Sequence, residues 1–392
     1  MTGPWLAILG IGEDGALSPE AAALLGGAGL VMGGARHLAL AAPLIRGEVR
    51  AWPSPMGSAV PELVARRGAA TAVLASGDPM WFGVGSLLLR HVPLAECRIV
   101  PAPSAFAMAA ARLGWALQEV DCLSCCGRPV EALVPRLQDG ARLLVLCADA
   151  NTPAAVAGML RAHGFEASTI HVLEALGGPA ERIRTDPPLD DVGPLNMLGL
   201  ELRGRGLSLA TLEDGAFTHD GQLTKCEVRA VTLAALAPRA GELLWDVGAG
   251  SGSVGIEWMR LHPANRAVAV ERRPDRAARV RHNADRLGVP ALRVVEGAAP
   301  DALADLPQPR AVFLGGGAHV PGVIEAAWSV LPPGGRLVAN AIALPTEAAL
   351  LAAQARLGGT LLRVGLERLD LVGGLPAFRP AMTVTQWAAT KP

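Results

Sequence analysis

Tyrosine is missing from this 392-residue chain and lysine nearly so: of 35 basic residues, only Lys225 and Lys391 are lysines. Without a phenol, no mechanism that uses tyrosine as acid or stacking partner is available. Cysteine is scarce too, with six residues at irregular spacing, too few for a disulfide scaffold in a chain of this length. Cys122, Cys125 and Cys126 approach a metal knuckle, but no second Cys or His pair follows at zinc spacing, so free thiols and no metal are expected. Charge of one sign is also lacking. A formal net charge of −1 excludes a general electrostatic grip on nucleic acid or on a membrane surface. Gly, Pro or Arg breaks every apolar run before it nears the ~18 residues of a membrane span. No basic patch followed by an apolar run opens the chain, so no signal peptide is expected and a cytoplasmic location is.

What is present points to order. Hydrophobic residues make up 51% against 18% charged, which rules out a disordered chain, and the length argues for two domains. Short β-branched or apolar runs alternate throughout with longer alanine-rich amphipathic stretches, the pattern of an α/β fold with a largely parallel sheet. Strands are predicted in the first half at 5–9, 28–32, 71–75, 98–100, 142–147 and 168–173. Helices are predicted from Ser18-Pro19-Glu20, over 86–91, and over 104–113 and 153–163, the last two stopped by Gly114 and Gly164. Near 186–206 the texture turns loop-like, with one apolar run, 195–202. This sets the expected organisation: a first domain over 1–205, a linker over 206–220 and a second domain over 221–392. The second half predicts strands at 243–247, 267–271, 292–295, 311–314 and 336–340 alternating with helices, then two strands near 360–366 and 381–386. That order suits a doubly wound sheet with an antiparallel edge.

The strongest motif is Asp246-Val-Gly248-Ala249-Gly250-Ser251-Gly252, between an apolar strand and a helix. Glycines there let the backbone approach a ligand, and the helix N-terminus favours anionic groups. Glu271 ends the next strand, 19 residues beyond Gly252, where an acid can take both hydroxyls of an adenosine ribose. The glycine spacing differs from the dinucleotide form, in which the third glycine comes three positions on. In the first half, Gly10-Ile-Gly12-Glu-Asp-Gly15 ends strand one. Gly77-Asp78-Pro79 ends a later strand, and Pro103-Ser104 opens a helix.

The second-half set, with Gly297-Ala298-Ala299 after the third strand, resembles the class I S-adenosylmethionine methyltransferases. Its flanks, Thr224-Lys225-Cys-Glu-Val-Arg229 and Gly315-Gly316-Gly317, are more specific and resemble the precorrin methyltransferases. The first-half set resembles the class III tetrapyrrole methylases, though Ala102-Pro103-Ser104-Ala105 departs from the Gly-Val-Ser-Ser often found there. The fold expected is thus a class III methylase of two α/β subdomains followed by a Rossmann-like class I methyltransferase domain. The resemblance implies two S-adenosylmethionine sites. One would be held by Gly10, Gly12, Gly77, Asp78, Pro79 and Ser104. The other would be held by Thr224, Gly248, Ala249, Gly250, Ser251, Gly252, Glu271, Gly297, Ala298, Ala299 and Gly315. Lys225, Arg229 and His319 stand as candidate catalytic groups by motif position. The implied activity is methylation of a precorrin at meso carbons 5 (first domain) and 15 (second domain), with decarboxylation of the ring C acetate, in cobalamin synthesis. The resemblance further implies a homo-oligomer and no nucleic-acid or membrane partner. A tandem methyltransferase on another substrate, and one active domain joined to a corrinoid-binding module, remain the alternatives.

Overall fold

A computed structural model describes residues 3–392, which form two compact units. The first comprises the chain up to Val130 together with Gln138–Arg205, and the second Glu131–Leu137 with Gly206–Pro392. Among the described residues, no helix is long and apolar enough to cross a membrane, and no cluster of three or more His, Cys, Asp or Glu could hold a metal ion.

The first unit contains β1 (Leu6–Ile11), β2 (Leu30–Gly33), β3 (Glu48–Ala51), β4 (Thr71–Ser76) and β5 (Cys97–Val100), ordered β3-β2-β4-β1-β5 and parallel throughout. Every residue of β1 is buried, as expected for a central parallel strand covered on both faces. Helices α1 (Pro19–Gly26), α2 (Ala35–Ala41), α3 (Val60–Ala65) and α4 (Val84–Leu88) connect these strands, and α5 (Ala105–Leu113) follows them. A second sheet holds β6 (Asp121–Ser124), β7 (Arg142–Leu146), β8 (Thr169–Glu174), β9 (Arg182–Thr185) and β10 (Asn196–Glu201), with α6 (Thr152–Ala162) between β7 and β8. Its order is β6-β7-β10-β8-β9, and only the β6–β7 pair is parallel. The expectation of a largely parallel sheet thus holds for the first sheet of this unit and not for the second. Short turns join antiparallel strands such as β8 and β9, whereas each parallel pair needs a crossover. The apolar run at 195–202 is β10, a fully paired central strand.

The second unit contains α7 (Cys226–Leu236), β11 (Leu243–Val247), α8 (Ser253–Arg260), β12 (Arg266–Glu271), α9 (Pro274–Arg286), β13 (Arg293–Glu296), β14 (Ala311–Leu314), α10 (Val323–Val330), β15 (Arg336–Ala341) and α11 (Leu344–Leu357). Four further strands follow: β16 (Thr360–Val364), β17 (Glu367–Val372), β18 (Leu375–Pro380) and β19 (Val384–Thr390). The main sheet runs β13-β12-β11-β14-β15-β19-β16, parallel up to β15, with β19 antiparallel to both neighbours. β17 and β18 form a separate hairpin between the two predicted edge strands. The stretch expected as a linker packs into this unit: Leu212 and Phe217 are buried in one core with Leu233, Ile256 and Trp258.

Candidate active sites

In the second unit, β11 delivers Asp246 and the glycine loop to the sheet's carboxyl edge. Gly248, Gly250 and Gly252 have φ of 71°, 60° and 77°, a left-handed conformation that L side chains disfavour. A Cβ on Gly248 would lie 2.9 Å from Gly316 N, so the loops after β11 and β14 touch backbone to backbone. The Gly248 and Ala249 amides donate to the Val270 carbonyl at 2.9 and 3.2 Å. Glu271, buried at the end of β12, accepts from Gly250 N at 2.9 Å through Oε2 and from Arg273 N at 3.0 Å through Oε1. Gly297 N donates to the Glu271 carbonyl at 3.0 Å, which draws the Gly297-Ala298-Ala299 loop to the same edge.

Beneath this loop lie polar atoms with unused capacity. Asp246 Oδ2 accepts from Gly255 N at 2.9 Å, while among the described residues buried Oδ1 has no partner, and neither has the buried Ser251 hydroxyl. Burial, assisted by the Glu271 charge, pushes the Asp246 carboxyl up to about 7, against the opposing Gly255 amide. Three left-handed glycines, an acid at the neighbouring strand end and orphaned acceptors suit a ligand that brings hydroxyls and a cationic group.

The three candidate catalytic residues fare differently. Lys225 sits at the N-cap of α7, partly exposed, with Nζ 3.4 Å from Asp214. His319, exposed on the loop after β14, pairs with Thr346 Oγ1 at 3.2 Å. Arg229 has no exposed surface. Its Nε donates to Glu257 at 2.7 Å, and its remaining nitrogens reach Asp214, Thr224 O and Leu212 O. A guanidinium spent in this way cannot also take a substrate carboxylate, so Arg229 is corrected from a reacting group to one that anchors residues 212–224. Asp214, which sequence reasoning missed, also accepts from Cys226 N at 2.9 Å and so caps α7. Asn283, also missed, clasps the same segment through both Thr218 backbone groups and donates to Ser251 O at 2.9 Å.

In the first unit, the loops after β1, β4 and β5 meet as tightly. Gly77 N donates to Ile11 O at 3.1 Å, and Ala102 N to Gly77 O at 3.1 Å. A Cβ on Gly10 would lie 2.0 Å from Gly77 O. Ser104 Oγ caps α5 by accepting from Ala107 N at 3.1 Å, and Asp78 Oδ1 accepts from Met80 N at 2.8 Å. Gly12 and Gly77 line a cleft between the unit's two sheets, with Arg36 and Ser76 on one side and Leu173 and Asn196 on the other. Arg36 and His37 are a basic pair in the first turn of α2, just after β2, that motif reading passed over, because the signal there is basic where an acid is usually sought. Arg36 pairs with Glu13, and His37 Nε2 lies 2.7 Å from Ser76 Oγ. Burial, with Arg36 alongside, lowers His37 to about 4, so the imidazole is neutral at pH 7.

Comparison with known proteins gives each half of the chain a family. Residues 6–191 match the family described as tetrapyrrole (corrin/porphyrin) methylases, and residues 215–391 that described as precorrin methyltransferase domain. The chain is 52% identical over 399 residues to precorrin-6Y C(5,15)-methyltransferase (decarboxylating) of Sinorhizobium sp, covering 99% of this chain and 97% of that one. It is 43% identical over 395 residues to the protein of the same name from Mycobacterium tuberculosis, covering 98% and 99%. It is 33% identical over 162 residues to cobalt-precorrin-6B C(15)-methyltransferase (decarboxylating) of Salmonella typhimurium, covering 40% and 83%.

Proposed function

Because the chain belongs to the precorrin-6Y C(5,15)-methyltransferase (decarboxylating) family, we propose that its two units divide the reaction, the first methylating carbon 5 and the second methylating carbon 15 and decarboxylating. Membership makes it an S-adenosylmethionine-dependent methyltransferase of cobalamin biosynthesis. The observation that carries the division is the pair of separate glycine-loop sites, one at the carboxyl edge of each unit's parallel sheet. A relative named for carbon 15 alone, matching 40% of this chain, supports a division of that kind.

S-adenosylmethionine supplies an electrophilic methyl group already activated on sulfonium sulfur. The chain's own residues have to hold and align. In the second unit, Glu271 takes the ribose hydroxyls, the amides of Gly248–Gly252 line the loop, and ionised Asp246 faces positive charge. In the first, Gly10 and Gly77 let the loops after β1, β4 and β5 pack closely at the edge of the cleft that would take the cofactor, which Gly12 and the paired Glu13 and Arg36 also line. Holding a meso carbon at near-attack distance supplies part of the acceleration such a transfer needs. When the acetate carboxyl leaves, the conjugated macrocycle of the substrate takes up the electron pair. Lys225 and His319 are the proposed partners of substrate carboxylates in the second unit, Lys225 as a compact charge. The first domain ends near residue 205, and the protein works in the cytoplasm.

Product analysis on the full chain tests the division. Glu271→Ala is expected to abolish the carbon-15 methyl and carbon dioxide release while keeping the carbon-5 methyl. Gly10→Ala, whose Cβ would strike the Gly77 carbonyl at 2.0 Å, is expected to do the reverse. Loss of both methyls in either variant would refute separate sites.

A further inference from the structure

Trp81 and Phe82 are 42% and 44% exposed and, with Met80, form an unbroken apolar triplet on the loop after β4. Among the described residues, Phe378 is the only other Trp or Phe left exposed. Collapse of such a triplet into a core is the ordinary outcome of the hydrophobic effect. Here the loop is braced against it. Trp81 N donates to Asp78 O at 3.3 Å and Gly85 N to Pro79 O at 2.9 Å. Cβ atoms on Gly83 and Gly85 would come within 2.4 and 2.8 Å of the Pro79 carbonyl. Phe82 itself has φ of 54°, a strained conformation for a bulky L residue and one that clusters at functional sites.

The exposed rings have a floor and a charged edge. Phe106, buried on α5, lies with its centroid 5.3 Å from Trp81 and 5.8 Å from Phe82. The guanidinium of Arg128, exposed on the loop after β6, lies 5.2 Å from the Phe82 centroid. Arg128 makes no ion pair among the described residues. The same loop begins at Gly77, which lines the cleft of the first unit.

Resting on the reading that the first unit methylates a precorrin, we propose that Trp81, Phe82 and Arg128 form the platform that receives one face of the macrocycle. The rings stack on its conjugated plane, and the Arg128 fork takes a peripheral carboxylate, a bidentate geometry that a lysine would not reproduce. A flat, apolar-faced polyanion needs this combination of aromatic surface and unspent cation. A nucleic acid would also stack, but residues 1–200 carry 14 basic against 18 acidic side chains, the wrong balance for a phosphate backbone.

The test uses the full chain and uroporphyrin, a stable planar polycarboxylate, as an unreactive probe followed by its absorbance. Phe82→Ala and Arg128→Gln are each expected to raise the probe's Kd at one class of site about tenfold, with Arg128→Lys recovering only part of the loss. KM for precorrin-6Y should rise similarly at carbon 5 with kcat held, while carbon-15 methylation and the heat of S-adenosylmethionine binding stay at wild-type values. Unchanged Kd and KM would overturn the proposal, as would a change confined to self-association in sedimentation, which would make the triplet a contact between copies. Loss of S-adenosylmethionine binding along with the probe would also overturn it, by placing the loop in the cofactor site. A wild-type chain that methylates neither carbon, yet binds the probe through Phe82 and Arg128, would refute the proposed reaction and leave the platform standing.

Discussion

Asp246 is the residue whose environment makes the sharpest demand. Its fully buried carboxyl, one oxygen without a partner among the described residues, is pushed up to about 7. The shift raises the folded-state value above the unfolded one. The cost of burying the charge is therefore absent below about pH 4, and stability falls as the pH rises from there toward 7. Asp246→Asn removes that slope, so thermal melts should show the variant gaining on wild type at about pH 8 relative to about pH 5. Binding of a cationic ligand beside the carboxyl carries the opposite sign, because it favours the ionised form. S-adenosylmethionine affinity at the second site should therefore rise about tenfold between about pH 6 and pH 8, with release of part of a proton near neutrality, and Asp246→Asn should flatten that profile in calorimetry. The acid and its glycines were legible because a strand, a loop and a helix placed them within a few residues. Arg229 was not legible: what buries it is Glu257, 28 residues away, and Asp214 in a stretch that reads as linker.

Among the elements, α5 shows how local chemistry sets a site. Ser104 caps it, Gly114 ends it at φ 69°, and the loop that precedes it abuts Gly77. Removing the Ser104 hydroxyl leaves the Ala107 amide without its partner, a loss of about 1 kcal/mol for a helix cap. Ser104→Ala should destabilise the chain by about that much in denaturant titration without altering the second site's affinity for S-adenosylmethionine. Elements whose signal is local were read well from sequence: β11 and β14 fall on their predicted residues, and α5 differs from its prediction by one. Those missed have weak local signals. β3 and β9 are short edge strands, mostly exposed, and lack any buried alternation to betray them. β10 carries a clear apolar run, but glycine and proline clusters on both sides disguise it. Its place between β7 and β8 is set by pairing over long sequence distance, which spacing does not encode. The β17–β18 hairpin exposes Leu369, Leu371, Leu375 and Phe378, so the rule that apolar residues lie inside pointed the wrong way.

At the scale of the whole molecule, the absence of a strong net charge acquires a more specific meaning. Residues 201–392 hold 21 basic and 18 acidic residues, against 14 and 18 in residues 1–200. Much of that charge is already spent inside the protein, as Arg229 with Glu257, Arg336 with Glu242, and Arg182 with Glu174 illustrate. Arginines spent in this way are unavailable to substrate, whereas Arg128, whose guanidinium lies over the Phe82 ring, makes no ion pair among the described residues. Each unit buries its own core and builds its own loop cluster, so their ligand equilibria should add as those of independent sites do. Calorimetry on the full chain should therefore find two S-adenosylmethionine molecules per chain. Glu271→Ala removes the acceptor that receives the Gly250 and Arg273 amides and so should leave one, with the surviving site's Kd unchanged. Gly10→Ala should remove the other, and the double variant should bind none. A single site in the wild type would mean that one glycine cluster serves the fold alone. A surviving site whose Kd shifts in either single variant would mean that the units are coupled, and the additivity argued from their separate cores would fail.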